Sequence, residues 1–310
     1  MKMKSDLSIN EKVVKKEKKN IFKIFIPTQK TIPYFMLLPI ILLFAVFMIY
    51  PIIDSFIMSF QQYKYGQYTF IGLGNYKRLF HDPVFKSAIT NNFIYLIIQV
   101  PVMVILALVI ADLLNKGFIK MKAFFRISFF MPAVTALVAY SLVFKLLLNT
   151  DYGFINYILS FLHIGKIDWL NRAVSSKASI IMAMTWRWTG YNMVIMLAGL
   201  QGISEDIYEA CDIDGANMFQ RFFKITLPLM KPIILFCTIT STIGTLQLFD
   251  ESYILTQGGP NNATITVAHY LYNTAFRFIN FGYASAISYV LVVIIAAFSL
   301  LQFKIVGGDD

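Results

Sequence analysis

The sequence predicts an all-α integral membrane protein with six transmembrane helices and both termini in the cytoplasm. Composition is the first reason: 57% of the 310 residues are hydrophobic and 14% are charged, where a soluble domain carries about 25% charged residues, and the mean hydropathy is +0.64. Length is the second. Apolar stretches at 34–57, 90–113, 124–148, 178–200, 232–255 and 281–303 are each long enough for the roughly 20 residues that cross a hydrocarbon core of about 30 Å. The third is the placement of Lys and Arg, whose excess marks cytoplasmic segments. With the N-terminus inside, 17 of the 27 fall on inner segments and seven on outer ones.

Residues 1–33 form a basic segment with nine lysines between Lys2 and Lys30, and attraction to anionic cytoplasmic lipid accounts for such a run. No RNA- or DNA-binding pattern accompanies the net charge of +10, which excludes nucleic acid as a partner. The stretch 34–57 is longer than the ~7–15 residues of a signal-peptide core and lacks a small-x-small cleavage site, so it reads as a retained span. All six spans make one membrane domain, 34–304, followed by a cytoplasmic tail at 305–310. The outer connections 61–86, 149–177 and 257–280, rich in Tyr, Phe and Asn, are expected to fold as short helices on the outer face. Cys211 and Cys237 lie in inner or membrane segments, where a disulfide is not expected.

Between the fourth and fifth spans the apolar pattern is interrupted by YEACDIDGANMFQRFFKITLPLMKP. Ser204 stands where an N-cap would, with Glu205 and Asp206 in the first turn beyond it. On a 3.6-residue period Glu205, Glu209 and Asp212 share one face, opposite Ile203, Ile207, Ala210 and Cys211. Gly215 supplies a turn, Asn217 with Gln220 has capping-box spacing, and Leu227-Pro228 is expected to end the second helix. These features predict a cytoplasmic helical hairpin over 203–228. It could serve as an interfacial anchor; its acidic face points instead to a protein groove, because anionic lipid attracts Lys and Arg.

Glu209-Ala210, Gly215 and Ile225-x-Leu227-Pro228 keep the spacing of the EAA loop, and here the chain resembles the permease subunits of binding-protein-dependent ABC importers. Cys211 departs from that pattern's second Ala. The stretches FIGLGNYKRLF (70–80), Met131-Pro132 and FDESYILTQGGP (249–260) resemble the carbohydrate-uptake branch, and within it the larger membrane subunit of the maltose importer. The resemblance implies a type I ABC importer permease fold in a bacterial cell membrane. It also implies a second homologous permease, two cytoplasmic ATPase subunits that use ATP and Mg, and an extracytoplasmic sugar-binding protein. By the same resemblance Glu205, Glu209, Ala210, Asp212 and Gly215 form the coupling surface toward the ATPase.

Polar side chains inside spans are costly and tend to face a cavity or a partner. The fourth span carries TWRWTGYNM (185–193), with Arg187 and Tyr191 on one face and Trp188 beside them; the fifth carries Thr238, Thr240, Ser241, Thr242, Thr245, Gln247, Asp250 and Glu251. Sugars need aromatic faces for their C–H surfaces and polar partners for their hydroxyls. Alignment with the maltose subunit places sugar contacts on Arg187, Trp188, Tyr191, Ser241, Gly244, Thr245, Leu248 and Asp250, with Ala133 and Leu137 adding smaller ones. Two alternatives stand beside this. The Ser and Thr side chains could bond their own helix backbone, and Arg187 could pair with Asp250 or Glu251 to hold two helices together.

No Walker A pattern occurs, so ATP hydrolysis belongs to other subunits, and His81, His163 and His269 form no H-E-x-x-H motif; no metal or cofactor is assigned to this chain. The function read from the sequence is therefore that of the permease subunit of an ATP-driven importer for sugars, an oligosaccharide by expectation, moving it by alternating access. Competing readings are import of an acidic sugar or a non-sugar solute, and an integral membrane enzyme acting on lipid-linked sugar, in which Glu209 would be dispensable.

Overall fold

In lipid a backbone N–H or C=O finds no water, and a helix satisfies both within one segment. The computed structural model describes residues 32–64, 66–116 and 119–306; the basic N-terminal run and the last four residues lie outside them. Helix α1 (Ile32–Met58) is long and apolar enough to cross a membrane, and over Ile32–Phe44 it is apolar all round, as a membrane helix should be. Near its middle a π turn at Ala45–Ile49 runs a hydrogen bond from the Tyr50 N–H to the Ala45 carbonyl, just before Pro51, which has no N–H to give.

The chain divides at Ile57/Met58 into two units, and the second holds the remaining elements. They are α2 (Gly74–His81), α3 (Pro83–Asn115), α4 (Lys122–Val134), α5 (Leu137–Leu147), α6 (Phe154–Phe161) and α7 (Ala173–Gln201). There follow α8 (Glu205–Ile213), α9 (residues 218–229), α10 (Lys231–Leu246), α11 (Asp250–Ile254), α12 (Val267–Tyr272) and α13 (Phe281–Val306). Among the described residues four helical runs are long and apolar enough to cross a membrane, or up to five if the bent pair α4 and α5 is one span. At 29 residues, α7 has the length, about 43 Å, but its Lys, Arg, Asn and Thr residues lower its apolarity.

Three expectations are corrected. The third stretch is no straight helix: α4 and α5 meet at 99°, with Thr135 and Ala136 extended just after Pro132, whose missing N–H weakens the last turn of α4. The chain is not all-α, because 61–70 forms an antiparallel hairpin of β1 (Gln61–Lys64) and β2 (Gln67–Phe70) with Gln61 opposite Phe70 and Lys64 opposite Gln67. Gly66, at φ +83°, permits the tight return, and the Tyr63 and Tyr68 rings pair across the strands at 4.9 Å. The fifth stretch also breaks, with α10 ending at Leu246 and α11 starting at Asp250.

Helix α7 packs on α3, α4 and α10. Its first half joins Tyr95, Tyr140, Phe144 and Leu248 in one apolar cluster through Ile180 and Met184. Its second half joins Met103, Leu108, Cys237 and Ile287 in another through Met193, Met196 and Leu200. The polar run Arg187 to Asn192 lies along α7 between the two. Where α7 meets α4, a Cβ on Gly190 would stand 1.7 Å from the Phe129 carbonyl oxygen, so the helices touch through bare backbone.

Asp82 organises the end of α3 remote from the α8–α9 hairpin. As N-cap it accepts from the N–H groups of Val84 and Phe85, and its other oxygen accepts from the hydroxyls of Tyr270 and Tyr283. Arg78 lies 4.2 Å over the Tyr283 ring. Burial pushes the Asp82 pKa up, but these four hydrogen bonds outweigh it and hold the group below its ordinary 3.8. Its contribution to stability is therefore present above pH 3.8 and is lost as the pH falls through the lower, folded value. Asp82→Ala is expected to cost about 2–4 kcal/mol, from one lost cap and two orphaned hydroxyls, read as a drop in melting temperature of the purified chain; an unchanged melting temperature would contradict this.

Candidate functional site

All seven candidate substrate residues line one cavity of ≈ 270 Å³: Arg187, Trp188 and Tyr191 from α7, Ser241 and Thr245 from α10, and Leu248 and Asp250 around the break that follows. Gly244 and Leu137 line it too, whereas Ala133 does not. The geometry follows from helix periodicity. Positions 184, 187, 188 and 191 on α7, and 241, 244 and 245 on α10, each fall on one face.

The broken helix positions the site. Ending α10 at Leu246 leaves its last carbonyls without a further helical turn, and Asn92 of α3 reaches two of them: its Nδ2 donates to the Leu246 oxygen at 2.8 Å and to the Thr245 oxygen, which the Leu248 N–H also meets, at 3.3 Å. Its Oδ1 accepts from the Val267 N–H, tying α3, α10 and α12 together. Thr245 donates to Gln99 Oε1 at 3.1 Å. The Asn192 amide donates to the Trp188 carbonyl, and Ser241 reaches Asn192 Oδ1 at 3.5 Å. Thr238 and Thr240 instead donate to carbonyls of their own helix, so back-bonding holds for these two and cross-helix bonding for Ser241 and Thr245.

Arg187 is 6% exposed, and among the described residues it makes no ion pair, so the alternative of a bridge to Asp250 or Glu251 is not formed. Its guanidinium lies 4.6 Å over the Tyr140 ring and 5.3 Å over that of Trp188. The Tyr140 hydroxyl donates to the buried Glu251 carboxylate. Cation, ring and carboxylate thus stand in series, with the tyrosine between the charges. Arg187 Nε and Nη1 are buried and among the described residues have no hydrogen-bond partner, an unsatisfied arrangement that an acceptor entering the cavity would relieve. The Trp188 and Tyr191 rings meet edge to face at 5.9 Å and offer flat apolar surface beside those donors.

Sequence reasoning missed Asn92, Gln99, Tyr140 and Asn192. Gln99 is a single polar residue in an apolar run and Asn92 stands at the edge of one, and the only signal was that an amide at such depth needs a partner.

At the other end of α7, α8 and α9 form a helical hairpin. Gly215, at φ +72°, follows α8 with Ala216 N–H bonded to the Cys211 carbonyl and Gly215 N–H to that of Asp212, a Schellman closure that favours glycine. Asn217 and Gln220 form the reciprocal capping box. Two details differ. Ser204 occupies the N-cap position without capping, since its hydroxyl donates to Asp206 instead. Pro228 does not end α9, because a π turn at Phe222–Thr226 precedes it and the helix runs on to Leu229.

Asp212 pairs with Arg221 at 3.1 Å, and Arg221 lies 4.4 Å over Tyr208. These three lock the hairpin. Glu205, Glu209 and Ala210 are exposed, and neither glutamate has an ion-pair partner among the described residues. Glu205, Glu209 and Asp212 border a surface cavity of ≈ 840 Å³ with Asp112 and Lys116 of α3. The tip exposes Ile213 and Phe219 at 87% and 75%, apolar surface of the kind that marks a docking face.

Between α11 and α12, Ser252 Oγ stands 2.8 Å from His269 Nδ1, with His269 2% exposed. Burial, then the charge of Arg277, pulls the His269 pKa down from 6.5 to about 4. The unfolded chain takes up a proton near 6.5 while the folded one does not until about 4, so stability is full above 6.5 and falls as pH drops between those values. The melting temperature should fall from pH 7 to pH 5 more steeply for the native chain than for His269→Gln; parallel curves would refute this.

Residues 84–305 match the model of the family described as binding-protein-dependent transport system inner membrane component. The chain is 47% identical over 269 residues to the lactose transport system permease protein LacF of Rhizobium radiobacter, over 86% of this chain and 90% of that one. It is 36% identical over 286 residues to the arabinooligosaccharides transport system permease protein AraP of Halalkalibacterium halodurans, over 92% and 90%. In fold it is similar to a chain in the crystal structure of a bacterial ABC transporter involved in the import of the acidic polysaccharide alginate, with a TM-score of 0.79 at 22% identity over 89% of this chain and 95% of that one.

Proposed function

Because the chain belongs to the family of binding-protein-dependent transport system inner membrane components, we propose that it is the membrane-spanning permease subunit of an ATP-driven importer of oligosaccharides. It is a multi-pass protein of the cell membrane. With α4–α5 and α7 each taken as a span there are six crossings, so both termini and the hairpin share one side, and the Lys and Arg excess on the inner segments supports the cytoplasm as that side. The complex is completed by a second homologous permease, two ATPase subunits that bind ATP and Mg, and an external binding protein that delivers the sugar.

The observation that carries this reading is the cavity at the broken helix. Arg187 presents two unpartnered N–H groups beside the Trp188 and Tyr191 rings, a donor and stacking arrangement suited to a sugar ring. Ser241, Thr245, Leu248 and Asp250 face it from the other wall. ATP closes the ATPase dimer, the hairpin moves with it through Glu205, Glu209 and Ala210, and the permease pair alternates between faces, each state favoured by its own contacts. Gly215 and the Asp212–Arg221 pair keep the hairpin rigid enough to transmit that motion.

Two cargo classes compete. Glu251 and Asp250 share the cavity with Arg187, which balances its charge and favours a neutral oligosaccharide. An acidic sugar is favoured by the absence, among the described residues, of a direct ion pair to Arg187. The deciding experiment is ATPase activity of the reconstituted complex with its binding protein loaded in turn with neutral and acidic oligosaccharides. Stimulation by the neutral set supports the first reading and by the acidic set the second; stimulation by neither, with ATPase subunits copurifying, removes sugars as cargo.

A further inference from the structure

Two adjoining cavities on the far side of α7 from the hairpin share Lys177 and divide sharply in chemistry. One, of ≈ 770 Å³, is a groove between α3 and α7 whose walls include Ile94, Ile98, Val102, Ile181 and Trp186. The other, of ≈ 310 Å³, lies at the outer end of the same helices and carries Lys86, Thr90 and Asn262. On α3 the residues of both follow one stripe, from 86 and 90 through 94 and 98 to 102, as helix periodicity requires. The apolar part, 94 to 102, spans about 12 Å at 1.5 Å per residue, close to the roughly 15 Å of one leaflet of a hydrocarbon core.

The polar mouth is preformed and positive. Asn91 fixes its rim by donating to the Asn262 and Ile265 carbonyls at 3.0 and 2.9 Å, and the Thr90 hydroxyl is spent on the Lys86 carbonyl. Among the described residues neither the Lys86 nor the Lys177 ammonium has an ion-pair or hydrogen-bond partner, and no acidic side chain lines either cavity. The acid one turn from Lys86, Asp82, is held by Tyr270 and Tyr283. Two uncompensated cations at headgroup depth, above an apolar slot one leaflet deep, complement a molecule with a phosphate head and an acyl tail.

We infer that the groove between α3 and α7 is a binding site for an anionic phospholipid, whose phosphate is held by Lys86 and Lys177 and whose acyl chain fills the slot down to Val102 and Trp186. The leaflet assigned to it rests on the proposed orientation, with the hairpin in the cytoplasm; the site itself does not. Occupied, it would cover an apolar seam between two helices that both wall the transport cavity, since Gln99 and Arg187 lie on the same two helices.

The test uses the chain purified with its accompanying subunits from vesicles of phosphatidylcholine containing a minor share of phosphatidylglycerol, with retained lipid read by mass spectrometry. The native chain should enrich phosphatidylglycerol. Lys86→Gln/Lys177→Gln should lower that enrichment by about 30-fold, at roughly fivefold per lysine near an anionic headgroup, while Lys64→Gln leaves it unchanged and all three chains melt alike. Equal enrichment by the double variant overturns the proposal. So does a photo-crosslinker at Val102 that captures a helix of the second permease instead of lipid. Retention is read without transport, so failure of the importer reading would leave this result standing.

Discussion

Uptake by a Glu209→Lys chain is expected to fall at least about 30-fold, with normal membrane levels and an unchanged melting temperature. Glu209 is exposed and touches no charged partner within the described residues, so its replacement breaks nothing inside this chain. The hairpin is closed by other means: the Gly215 turn, the Asn217–Gln220 box and the Asp212–Arg221 pair. Any loss must then come from a missing contact outside it, and truncating one member of a hydrogen-bonded interfacial charge pair costs about 2–5 kcal/mol. Basal ATPase activity should persist without stimulation by loaded binding protein. An acidic residue restored on the facing ATPase surface should rescue transport only if it replaces a base there. Asp151→Asn, in an exposed pair with Lys166, serves as the control. Normal uptake by Glu209→Lys would end the coupling reading.

Gly190→Leu should destabilise the fold by at least about 3 kcal/mol, the upper range for overpacking a filled interior. The obstacle is backbone: a Cβ there stands 1.7 Å from the Phe129 oxygen and 2.4 Å from its carbonyl carbon. Neither atom can rotate away, so α4 must separate from α7. Gly199→Ala provides the contrast, because the atom in its way at 2.1 Å is the end of the Ile233 side chain, which can change rotamer. Gly190→Leu should therefore be lost from the membrane or melt far lower, while Gly199→Ala accumulates. Equal levels of the two would mean that the α4–α7 approach is looser than described.

Spans were legible in the sequence wherever apolar length alone decides, as in α1, α3 and α13. Breaks inside spans were not. Pro132 announced a weakness in α4, but nothing local announced a 99° bend, which depends on what Gly190 lets Phe129 approach. The hairpin at 61–70 was hidden because Tyr, Thr and Phe around Gly66 read equally as an aromatic outer loop. In the cavity, the α7 and α10 walls were visible as polar residues where lipid would exclude them. The α3 wall was not, because the groups that Asn92 and Gln99 meet on α10 are more than a hundred residues away. Ser204 and Pro228 misled for a shared reason: each has the residue type of a terminus, and the neighbouring turns decide whether the type is used.

The Asn92 clasp has a consequence for how selectivity can drift. The open end of α10 is secured from outside the cavity, so the side chains that face the cargo are not the ones holding the break in place. Gly244 shows the freedom this leaves: a Cβ there meets nothing within 4 Å. Descendants of such a chain could retune the wall at 244 first, reshaping what fits while the Ser241–Asn192 and Thr245–Gln99 bonds and the packing of Leu248 are inherited intact.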